Sequence, residues 1–147
     1  MGSLARYLNR ESVALGATAD DWRAAVELSG RLLVAGGAAE ERYVPAMVAT
    51  VEELGPYAVI APGVAIPHAR PEAGALGVGL SVTVLARPVA FGSRENDPVD
   101  VLFGFATPDA DAHIELLGEL ADFIESGESL GALRRSGSVQ EVEALFA

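Results

Sequence analysis

The sequence predicts a β-sheet covered on its faces by helices, an α/β or α+β architecture, and three observations carry that expectation. Apolar residues recur at helical spacing between Asp20 and Leu54, the middle of the chain breaks into short β-branched or aromatic runs bounded by Gly and Pro, and helical spacing returns after Pro108. Helices, strands and helices in that order share a core by packing on a sheet. With 147 residues, half of them apolar, the chain can bury one such core and is too short for a second independent unit. Residues 1–147 are therefore expected to form a single domain.

The first helix is expected from Asp20 to Leu33. An Asp supplies the N-cap, Trp22, Ala25, Val26, Ser29 and Leu33 recur at steps of three and four, and Gly36-Gly37 stops it. A second runs from Glu40 to Leu54, acidic in its first turn, with Val44, Met47, Val48 and Val51 on one side and Gly55-Pro56 at its end. Trp22 and Met47 read as core residues. Strands are expected at Val59-Ile60, Gly63 to Ile66, Gly79 to Leu85, Val89 to Phe91 and Val99 to Phe105, with a polar turn between Phe91 and Val99. A third helix starts at an Asp109 N-cap, carries the stripe Ile114, Leu116, Leu117, Leu120, Ala121 and Ile124, and closes at Gly127. Two short helices come after it, Leu130 to Arg135 and Val139 to Phe146, the latter opened by a capping box of Ser138 and Glu141.

Composition removes whole classes of chemistry. Cysteine is absent, which excludes disulfides, thiolate metal sites, iron–sulfur clusters and cysteine nucleophiles. All ten basic residues are Arg, so neither a Schiff-base lysine nor a Walker A loop is present. A net charge of −11 without a basic cluster argues against nucleic acid and anionic membranes, and suits a basic protein partner if it does more than maintain solubility. No apolar run reaches membrane-spanning length, the start of the chain lacks a signal-peptide core, and Arg6 spoils a myristoylation signal at Gly2, so a cytoplasmic protein without membrane insertion is expected.

The chain holds two histidines. The apolar stretch Ala58 to Ile66 ends in Pro67-His68, and because proline cannot donate to a β-ladder, sheet pairing is expected to stop there. His68 is then a reactive imidazole on a loop held by a stiff element, or else a strand cap satisfied by a backbone carbonyl. His113 falls in the first turn of the third helix, where free amides and the positive end of the macrodipole gather; otherwise it is a surface residue beside Asp111 and Glu115. Brought together, the pair would offer a neutral nucleophile, a second imidazole able to donate a hydrogen bond, and helix-terminal amides for a phosphoryl group. Such transfer needs neither metal nor nucleotide when the donor is another phosphohistidine, because the leaving group is an imidazole of similar basicity. The protein then mainly aligns two nitrogens and stabilises three equatorial oxygens.

The segment Gly55 to Glu72, with its core Ile66-Pro67-His68-Ala69-Arg70, resembles the active-site segment of the enzyme IIA components of the bacterial phosphoenolpyruvate-dependent sugar phosphotransferase system, mannitol/fructose type, and in particular the ascorbate-specific branch. The likeness continues through Phe91 to Val99 and Ala112-His113-Ile114 and covers most of the chain. It implies an α/β fold with a mixed sheet of about five strands flanked by helices, and a phosphotransferase that works through a phosphohistidine without a cofactor. By this resemblance His68 matches the histidine phosphorylated by the phosphocarrier HPr, and His113 the second histidine that helps hold the phosphoryl group. The next acceptor is a separate enzyme IIB, on a cysteine in this branch, in service of uptake of ascorbate or a related sugar. A chain without cysteine does not contain that IIB domain. A homodimer is compatible with the resemblance. Mannitol- and nitrogen-type relatives carry an Arg upstream where this chain has Thr50-Val51-Glu52-Glu53, which leaves Arg70 or Arg94 to replace it, each otherwise a solvated surface residue.

Two other readings stay open. The same fold can serve as a regulatory module that reports phosphorylation state to a transporter, kinase or transcription factor. A hydrolytic metal site would have to be built from two imidazoles and a carboxylate, without a His-Glu-x-x-His spacing.

Overall fold

The computed structural model describes residues 4–147, so the Gly2 reading lies outside the described residues. Two short 3-10 turns lead into β1 (Val13–Ala17), followed by α1 (Trp22–Ala35), α2 (Tyr43–Leu54), β2 (Val59–Ala61), β3 (Val64–Ala65), β4 (Gly79–Val89), β5 (Val99–Ala106), α3 (Ala110–Glu125), α4 (Gly127–Arg135) and α5 (Val139–Phe146). The strands form one mixed sheet in the order β1-β4-β5-β3-β2. β1 lies parallel to β4 and β3 parallel to β5, whereas β4 with β5 and β2 with β3 are antiparallel. This is the expected class, a mixed α/β sheet of five strands flanked by helices.

The pleat sorts the core into two layers. Leu80, Val82, Val84, Val101, Phe103 and Phe105 meet Leu116, Leu120, Leu133, Val142 and Phe146 of α3 to α5. Leu85, Leu102 and Ala106 meet Val26, Leu33, Met47 and Val51 of α1 and α2. Because β4 and β5 are covered on both sides, they read as continuous apolar runs rather than alternating ones. Between α1 and the sheet the packing is polar and tight. Ser81 Oγ donates to Ser29 O over 2.9 Å, and a Cβ added at Gly104 would stand 2.5 Å from Ser81 Oγ. Nearby on β4 the Thr83 hydroxyl is buried with no hydrogen-bond partner among the described residues.

Helix ends obey the capping rules, with shifts. Asp21 caps α1 through Ala24 N at 2.8 Å, and Asp109 caps α3 through Ala112 N at 2.8 Å. Glu40 and Glu41 precede α2 instead of opening it, and Pro45 sits in its first turn, where an N–H would lack a partner anyway. Gly127 begins α4 rather than merely closing α3, because Ser126 caps the new helix by accepting from Ser129 N. Half of the expected capping box forms: Glu141 N donates to Ser138 Oγ, but the Glu141 carboxylate reaches back to Gly137 N.

Two strand expectations are corrected. The run at Val89 to Phe91 is not a separate strand, since β4 continues to Val89 through irregular pairing with β5, and Phe91 packs its ring against Trp22. The fifth strand is instead β1, whose Val-Ala-Leu-Gly-Ala carries little β-propensity and is held by its parallel pairing with Val82, Thr83 and Val84. On α3, Ile114 is 68% exposed, Ala121 is exposed, and Phe123 takes the buried place.

Candidate active site

The parallel pairing of β3 with β5 decides where the histidines meet. Ala65 stands opposite Leu102 in parallel register, so the residues just past β3 run beside the C-terminal end of β5. Phe105 N donates to Pro67 O over 3.3 Å, the last ladder contact before His68. Pro67 has no N–H to continue the ladder, and the chain leaves the sheet as expected. β5 ends at Ala106, and the buried Thr107 leads on to the α3 N-terminus and brings His113 back over the same edge.

The two imidazoles lie with ring centroids 5.4 Å apart at 60°. His68 stacks on Phe105 at 4.5 Å and 17°, and Phe105 also borders His113 at 5.3 Å. His68 Nδ1 is 2.8 Å from Ile66 O. A carbonyl only accepts, so Nδ1 carries the proton and the lone pair sits on Nε2. The backbone-carbonyl contact expected of a strand-capping histidine is thus present, and it fixes the tautomer of the ring. Burial pushes the His68 pKa below its ordinary value, the Ile66 bond opposes that, and His113 reinforces it, so the ring is neutral at pH 7. His113 Nδ1 approaches Thr107 Oγ1 at 3.5 Å.

The helix end offers an anion less than its sequence position suggests. Asp109 Oδ1 takes the Ala112 amide, and the His113 amide donates to Asp109 O. Of the two spare arginines, Arg94 lines a groove of about 550 Å³ beside edge strand β2 with Tyr57 and Ile60, and neither histidine lines it. Arg70 is exposed, sits two residues after His68 on extended backbone and has no ion pair among the described residues. Thr50 spends its hydroxyl on Ala46 O inside its own helix. Sequence reasoning missed Phe105, Thr107 and Tyr43, whose hydroxyl bonds the main chain at Ala69 and Phe105. The only trace of Tyr43 in the sequence is the four-residue step from Tyr43 to Met47 and Val51.

The family model for the phosphoenolpyruvate-dependent sugar phosphotransferase system, EIIA 2, matches residues 6–147. The ascorbate-specific EIIA component of Escherichia coli strain K12 is 41% identical over 133 residues, 90% of this chain and 86% of that protein. Among solved structures, the mannitol-specific cryptic enzyme IIA CmtB of Escherichia coli superposes with a TM-score of 0.85 at 33% identity, covering 99% of this chain and 98% of that one. The mannitol enzyme IIA of Escherichia coli, solved in complex with phosphorylated mannitol enzyme IIB, gives a TM-score of 0.81 at 28% identity, covering 94% and 95%. Matched along nearly its whole length, with its two histidines facing each other at one sheet edge, the chain belongs to the EIIA type 2 family of the sugar phosphotransferase system, phosphotransferases that act through a phosphohistidine.

Proposed function

We propose that His68 Nε2 accepts the phosphoryl group of phosphorylated HPr and passes it to an enzyme IIB, on a cysteine of that partner, for uptake of ascorbate or a related sugar acid from the cytoplasmic side. The observation that carries this reading is the bond from His68 Nδ1–H to Ile66 O, which leaves Nε2 as the one nucleophilic nitrogen of a neutral ring. In the step, the Nε2 lone pair forms the new P–N bond while the P–N bond to the donor histidine breaks and its electron pair returns to that imidazole. Nδ1 keeps its proton, still donated to Ile66 O, throughout. His113, with ring centroids 5.4 Å away, donates to the phosphoryl oxygens. Arg70, exposed and two residues after His68 in the chain, is assigned as the cation for those oxygens.

The ascorbate assignment is supported by the relative of that specificity, and the IIB partner by the mannitol complex. Among the described residues no helix is long and apolar enough to cross a membrane, in keeping with a cytoplasmic carrier. Incubation with enzyme I, HPr and phosphoenolpyruvate is expected to add one acid-labile phosphate to the wild type and none to His68→Gln, whose amide has no nucleophilic nitrogen. A wild-type protein that stays unlabelled, or a labelled His68→Gln, refutes the assignment.

A further inference from the structure

We propose that Tyr43 is a positioning residue for the phosphoryl transfer, holding the His68 imidazole against Phe105 through the main chain of both neighbours. The inference rests on the reading of His68 as the acceptor. Tyr43 stands in the first turn of α2, completely buried, and its hydroxyl lies 3.0 Å from each of Ala69 N, Ala69 O and Phe105 O. A phenol carries one proton, so the oxygen accepts from the Ala69 amide and donates to one carbonyl at a time.

The location gives these contacts their meaning. β3 is only two residues long, and Pro67 lacks the N–H that would extend its pairing with β5, so the sheet itself does not hold His68 and Ala69 in place. Ala69 is bonded to His68, and Phe105 is the residue on whose ring His68 lies. One hydroxyl from α2 therefore bridges the loop that carries the nucleophile and the strand end that supports it. Displacement of a reacting atom by about an ångström is enough to slow a positioned reaction by about a hundredfold. The competing role for Tyr43 is to satisfy buried main-chain groups and nothing more.

Tyr43→Phe keeps the ring and removes the hydroxyl. Two readouts separate the roles: the His68 imidazole nitrogen shifts tracked by NMR against pH in the unphosphorylated protein, and stopped-flow phosphorylation by phosphorylated HPr. We expect the variant to mix the two His68 tautomers and to titrate closer to an ordinary histidine. Its phosphorylation rate at saturating HPr is expected to fall about ten- to a hundredfold, with the half-saturating HPr concentration changed less than about twofold. A lowered melting temperature with wild-type tautomer, titration and rate would make Tyr43 a core residue and overturn the proposal. The substitution is made in parallel on Thr83→Val, which replaces a buried β4 hydroxyl that has no partner among the described residues and offsets lost stability. Failure to fold in both backgrounds overturns the proposal as well. If the wild type takes no phosphate, it is the acceptor assignment that fails, and the NMR titration alone decides whether Tyr43 holds the ring.

Discussion

Among single residues, His68 combines two opposed environments. Burial on Phe105 favours the neutral ring, and the Ile66 carbonyl fixes which nitrogen keeps the proton. The depressed pKa has a consequence for stability whose sign is determined. Below the ordinary histidine value of 6.5 the unfolded chain binds a proton that the folded ring refuses, so the contribution is present above about pH 6.5 and is lost as pH falls through the folded pKa. Denaturant titrations are expected to show wild-type stability dropping more steeply from pH 7 to 5 than that of His68→Gln, and parallel profiles would contradict the depressed pKa. His113 touches the phosphoryl oxygens only as a donor in the proposed chemistry. His113→Ala should thus still accept phosphate but pass it to IIB about ten- to a thousandfold more slowly, as measured by rapid quench. Unchanged transfer would return His113 to the role of a surface residue.

Between elements, α1 approaches the sheet through Ser29, Ser81 and Gly104, and the small side chains set that distance. Gly104→Ala places a methyl against Ser81 Oγ and Ser29 Oγ and should destabilise the fold by about 1–3 kcal/mol in urea titration. Thr83→Val in the same layer should instead stabilise by about 1 kcal/mol, because it removes a buried hydroxyl that has no partner among the described residues. Equal effects of the two would show that the layer is looser than its geometry. The helices were legible from periodicity and caps to within a few residues, as with Asp21 and Asp109. β1 was not, because Val-Ala-Leu-Gly-Ala forms a strand only when β4 stands beside it. Ile114 read as core by spacing, yet α3 is rolled so that Leu116, Leu120 and Phe123 face the sheet.

Across the molecule, a charge of −11 steers a basic partner only where it is local, since exposed charges are screened beyond about 8 Å at physiological salt. Glu115 is paired with Arg6 at 2.8 Å and the Asp109 carboxylate caps α3, whereas Glu72 and Asp111 have no ion pair among the described residues. Ile114, next to His113 in the chain, is exposed. The HPr association rate is expected to fall as salt rises from about 0.05 to 0.5 M, and to fall further in Asp111→Asn than in Glu115→Gln, with dissociation changing little. Stopped-flow rates indifferent to salt and to Asp111→Asn would leave the acidity a matter of solubility.

Composition and local pattern were enough to set the chemistry open to this protein. The absence of cysteine and lysine, and a histidine placed after a strand-ending proline, are local facts that side-chain inventory and backbone sterics make readable. The helices were readable for the same reason, because periodicity and caps are properties of neighbouring residues. The meeting of the histidines was not, since it depends on β3 and β5 running side by side in parallel, which places residues 68 and 113 at one edge. Nor was the choice of His68 tautomer by Ile66 O, or the reach of Tyr43 to Ala69 and Phe105. The histidine pairing and the Tyr43 bridge join segments far apart in the chain, and the Ile66 bond depends on how the loop leaves the sheet. Strand register and helix packing set the two long-range features, and no short-range pattern encodes either.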